Sequence, residues 1–67
     1  MKIDEIKEGM VVTSICKVYG GIHEILEGTP GIVSAINRYD DVYVRFEVGN
    51  NSVTDPILCH PIYLERA

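Results

Sequence analysis

Residues 27–50 read EGTPGIVSAINRYDDVYVRFEVGN, two apolar runs separated by a polar tip and preceded by a Gly-Thr-Pro-Gly turn. In the second run Val42, Val44, Phe46 and Val48 alternate with Tyr43, Arg45 and Glu47, a period of two that predicts a strand with one apolar and one polar face. The first run, Gly31 to Asn37, places Ile32 and Ile36 on one face and Val33 and Ala35 on the other, as in a strand that is covered on both sides or bent. Between them Arg38-Tyr39-Asp40-Asp41 supplies turn chemistry, because Asp side chains bond local backbone groups and tolerate turn dihedrals. A hairpin therefore organises the middle of the chain.

Working outward, Val11, Val12, Ile15 and Val18 form an earlier β-branched run, and a first strand is expected over residues 10–16. Residues 17–28 carry Gly20-Gly21 and mixed polarity. They read as one long loop from which Ile22, Ile25 and Leu26 dip into a core. Beyond the hairpin, Gly49-Asn50-Asn51 signals a second turn, and SVTDPIL begins as a strand before Pro56 removes a ladder donor, so this fourth strand is short or lies at an edge. The ending LCHPIYLERA predicts one helical turn around Cys59 and His60 and a brief last strand with Ile62 and Leu64 inward.

The chain has 67 residues, enough for a single domain at residues 1–67 that buries roughly 60% of its unfolded surface. A hydrophobic fraction of 46% and a charged fraction of 24% are those of a folded globular protein. No stretch approaches the ~20 apolar residues of a membrane span, and MKIDEIKEGM lacks the apolar segment of a signal peptide. A cytoplasmic protein with no membrane partner is expected, and there Cys16 and Cys59 stay reduced and behave as small, semi-buried hydrophobes.

Five short strands, one long early loop and two tight hairpins predict an all-β fold, a small five-stranded barrel with a short helical turn near its C-terminus. Gly28, Thr29, Gly31 and Val33, followed by Val42, Val44 and Phe46, form a G-T-x-G-x-V … V-x-V-x-F frame that resembles the Src-homology-3-like barrels. Gly28, Gly31, Val33 and Ile36 also stand at the spacing of the KOW motif, and Leu64-Glu65 is similar to the terminal strand of the variable chain of ferredoxin-thioredoxin reductase. These resemblances imply a β-barrel over residues 9–66. They specify a fold and not a family, and three kinds of role stay open: a protein-binding module, a KOW-like nucleic-acid module, or a subunit or small acidic inhibitor of a larger enzyme. The chain has no Trp and no ALYDY stretch, which argues against stacking of polyproline ligands.

Cys16, His23, Cys59 and His60 make the full count for a tetrahedral zinc site, but structural zinc ligands come in pairs two to four residues apart and only Cys59-His60 is close. Adjacent residues on an extended strand point to opposite faces, so no metal or other cofactor is expected. A nucleophilic pair of Cys16 or Cys59 with His23 or His60 would need positive surroundings and a substrate pocket that a chain this small and acidic does not offer. Asp40-Asp41 is accounted for by the turn. Gly20-Gly21 lacks the Lys-Ser/Thr and helix of a phosphate loop. A non-enzymatic role is expected.

Ten acidic residues against six basic ones give a net charge of −4, and no three basic residues share a short window, so a surface that tracks phosphates is not expected. The remaining signal is tyrosine, which offers large contact area at low entropic cost. Tyr19, Glu24 and Glu27 on the early loop, with Tyr39, Asp40 and Tyr43 on the hairpin, are the expected partner-binding residues. A protein partner with a basic surface is expected ahead of nucleic acid.

Overall fold

The computed structural model describes residues 1–67. It is all-β, with no α-helix and two short 3₁₀ turns at Ile3–Glu5 and Pro61–Tyr63. The strands are β1 (Val11–Ser14), β2 (Val18–Gly20), β3 (His23–Ile25), β4 (Pro30–Ile36), β5 (Val42–Phe46), β6 (Ile57–Leu58) and β7 (Leu64–Arg66). Five of them form one antiparallel sheet in the order β6-β5-β4-β1-β7, and β2 and β3 pair with each other in a second, two-stranded sheet. The main sheet has two edges, β6 and β7, rather than the closed ring of a barrel.

The expected long loop at residues 17–28 is a hairpin. Val18 pairs with Ile25, Tyr19 with Glu24 and Gly20 with His23, leaving Gly21 and Ile22 as a two-residue turn in which Gly21 holds φ +58°. A glycine at the first turn position is what such a connection requires, and Gly20-Gly21 followed by alternation was that signal. Only Ile25 enters the core, together with Val18 across from it; Ile22, at the turn, is 96% exposed and Leu26 also faces solvent. Buried Ser14 fixes the base of the hairpin, where its Oγ donates to the Leu26 carbonyl at 2.8 Å and accepts from the Thr29 N–H at 3.1 Å.

Strand β4 is bent by a bulge between Val33 and Ala35, where the register against β5 slips by one residue at Ser34. The slip changes which residues face the core: Val33 is buried, and Ile36, paired with buried Val42, packs on the same inner side. Ile32 stays outside. The expected grouping of Ile32 with Ile36 is thus overturned by one extra residue, because the side-chain period of two turns over at a bulge. Gly31 owes its identity to close packing rather than to a positive φ: a methyl group there would come within 2.8 Å of Val44 Cγ1 and 3.0 Å of Phe46 Cδ1.

On β5, Val42, Val44 and Phe46 point into the core as the alternation predicts, but Val48 does not. The strand ends at Phe46, and a turn with Gly49, Asn50 and Asn51 all at positive φ follows, closed by the bond from the Ser52 N–H to the Gly49 carbonyl. Val53 keeps only a single bridge to Glu47, so the fourth strand of the main sheet shrinks to Ile57–Leu58. Ile62 is also exposed, since the 3₁₀ turn that carries it buries Pro61 instead.

Eleven buried residues make up the core, from Ile6 near the N-terminus to Leu64 on β7, with Phe46 at 0% exposure the largest of its fully buried side chains. The N-terminal segment contributes to it as well. The Ile3–Glu5 turn brings Ile6 inside, and Met1, Ile3 and Met10 pack against it.

Candidate functional site

The strand β6 is two residues long, and Ile57 is drawn into the core, so Leu58 must face out and is 57% exposed. Directly across from it on β5 lies half-buried Tyr43. Two shallow grooves meet at Leu58. One runs between Asp55–Leu58 and the hairpin tip at Tyr19–His23; the other is walled by Tyr39–Val42, Cys59–Pro61 and the N-terminal Met1 and Ile3.

Asn37 sets the position of Tyr39. The Asn37 Oδ1 accepts from the Tyr39 N–H at 2.9 Å and the Asp41 N–H at 3.0 Å, while its Nδ2 donates to the Asp41 carboxylate at 3.0 Å. Asp40 occupies the left-handed position of the loop at φ +63°, which its short polar side chain tolerates. Asn37 thus does the bonding expected of the two aspartates. At the tip the Arg38 guanidinium lies over the Tyr39 ring, 4.9 Å from its centroid, and donates to the Tyr39 hydroxyl at 2.8 Å.

Of the six residues expected to meet a partner, Tyr19 lines the first groove, Tyr39 and Asp40 line the second, and Tyr43 stands opposite Leu58 where the grooves meet. Glu24 pairs with Tyr19 across the hairpin and bonds the Lys17 ammonium at 2.8 Å, a contact that raises the Lys17 pKa above the usual lysine value. Glu27 lines neither groove. The residue at the centre, Leu58, is one that reading for tyrosine and charge passes over. Its signal was the Ile57-Leu58 pair between prolines, where a strand can bury only one of two neighbours.

The four candidate zinc ligands have other surroundings. The His60 Nδ1 accepts from the Ile62 N–H at 3.1 Å and so caps the 3₁₀ turn, and its ring meets Tyr63 edge-on. Cys59 is buried, Cys16 half-buried and His23 sits at the hairpin turn. No three His, Cys, Asp or Glu side chains gather where a metal ion could sit. Burial, reinforced by the neighbouring Cys16, pushes the Cys59 thiol up to about 11, which disfavours the thiolate a nucleophile needs.

No protein-family model matches the chain, and no curated protein and no solved structure gives a significant match to it.

Proposed function

We propose that the chain is a non-enzymatic protein-binding module, an accessory or regulatory subunit that engages its partner through the surface around Leu58. The observation that carries this reading is the convergence of Tyr19, Tyr39 and Tyr43 on one exposed leucine, with Leu58 common to both grooves and Tyr43 its cross-strand neighbour. Aromatic side chains around an apolar centre are what interface cores favour. Asp40 and Asp41 on one side and Asp55 on the other give this surface an acidic rim, which suits a basic partner and an association that salt slows.

Kinship with the Src-homology-3-like barrels is part of the proposal. Its support is the plan of the chain: five principal strands, an early excursion between the first two of them, and a helical turn before the last. The two unpaired thiols suit a reducing compartment, and we take the cytoplasm as its place of work.

The test sets protein against nucleic acid. The chain is titrated with generic RNA and duplex DNA at ~150 mM salt, where the Debye length is about 8 Å, and is used in parallel to capture proteins from host lysate. A protein retained by the native chain and lost by the Tyr39→Ala/Tyr43→Ala variant, with no submicromolar nucleic-acid binding, is expected. Tight, steeply salt-dependent nucleic-acid binding with no such protein would replace this reading by a KOW-like one, with Arg38 and Arg45 as phosphate contacts.

A further inference from the structure

The outer face of the main sheet carries, beside the Leu58 site, a second apolar surface three strands wide. Val11 on β1 pairs with Ile32 on β4, which pairs with Arg45 on β5. In the next row Pro30 lies beside Glu47, joined by the bond from the Glu47 N–H to the Pro30 carbonyl, and Glu47 bridges to Val53. Ile32 is 50% exposed, and Val11 and Val53 are exposed to the same degree. Nothing in the chain covers these side chains.

The charges on this face decide what fits it. Arg45 and Glu47 stand two positions apart and point to the same side, yet neither is ion-paired, for the single salt bridge of the molecule joins Lys17 to Glu24. The chain as a whole carries a net charge of −4, so two copies repel each other over most of their surface, whereas this patch is balanced, one cation against one anion. A two-fold contact matches each residue with its counterpart in reverse. With the axis in the plane of contact and across β5 beside Phe46, Arg45 of one copy meets Glu47 of the second and the pair forms twice, while Ile32 of each copy lies over Pro30 of the other. The geometry points to this face as a self-complementary homodimer interface, occupied by a second copy of the chain.

Sedimentation velocity of the full chain from about 1 to about 500 µM should show the mass doubling with concentration. Ile32→Glu should weaken the dimer by at least about tenfold, and Val53→Glu should act alike if the first variant melts early. Arg45→Glu and Glu47→Arg should each weaken it, and the two together should restore it, since the swapped pair again meets its complement across the axis. Ile22→Glu, at the turn of the two-stranded sheet, should leave it intact. A chain that stays monomeric at the highest concentration overturns the inference, as does a dimer indifferent to Ile32→Glu or a double swap as weak as the single ones.

Discussion

Gly20 lies so close to the side chain of Ile57 that a methyl group in place of its hydrogen would stand 2.5 Å from Cγ2 and 2.8 Å from Cγ1. The absence of one side chain on β2 therefore lets the hairpin rest on the edge strand β6, and it is this contact that forms the groove between Tyr19 and Leu58. Gly20→Ala should destabilise the chain by about 1–3 kcal/mol through overpacking. On an Ile57→Ala background the same change should cost little, because the colliding atoms are gone. Urea denaturation of the four chains of this double-mutant cycle reads the coupling, and additive costs would mean that the hairpin does not dock there.

The two apolar residues at the end of the alternation on β5 differ in kind. Phe46→Ala removes a fully buried ring and should cost about 3–5 kcal/mol, enough to unfold much of a domain this small. Val48→Ala lies beyond the end of the strand and should stay within about 0.5 kcal/mol of the native chain. Similar midpoint shifts for the two would contradict the exit of the chain from the sheet after Phe46.

Asn37→Ala removes three side-chain hydrogen bonds at the hairpin tip. The loop is exposed, so the loss of stability should be about 1–2 kcal/mol. The larger effect should be on Tyr39, whose backbone loses its anchor; amide exchange at residues 38–41 should speed up while β5 stays protected.

The thiol of Cys59 gives the chain a weakness in alkali. Its pKa is raised from 9.0 when unfolded to about 11 when folded, so the native state holds its proton longer and the stabilisation is complete below pH 9. As pH rises from 9 towards 11 that contribution is lost. Cys59→Ala should melt earlier at neutral pH, and the gap in Tm between it and the native chain should narrow over this interval. A constant gap would show that Cys59 is not held neutral by burial.

The central hairpin is legible because β5 obeys a strict period of two and its loop is rich in turn formers. What escapes is governed by contacts distant in sequence. The bulge at Ser34 reverses the side on which Ile36 lies, and nothing local in GIVSAIN distinguishes a bulged strand from a straight one. The β2–β3 hairpin carries its own signal in Gly20-Gly21, but mixed polarity around it masks two three-residue strands. Of the candidate site, the tyrosines were legible as a residue type, and their meeting at Leu58 was not, since it depends on β6 pairing with β5 and on Gly20 reaching Ile57.

The central claim, that the Leu58 surface holds a protein partner, is tested most directly by photo-crosslinking in the host. A benzophenone side chain is placed in turn at Tyr39, at Leu58 and at Glu65, which lies on β7 at the opposite edge of the main sheet. The first two positions should yield an adduct with one and the same foreign protein, and Glu65 should not. Equal adducts from all three positions, or none from Tyr39 and Leu58, would contradict it.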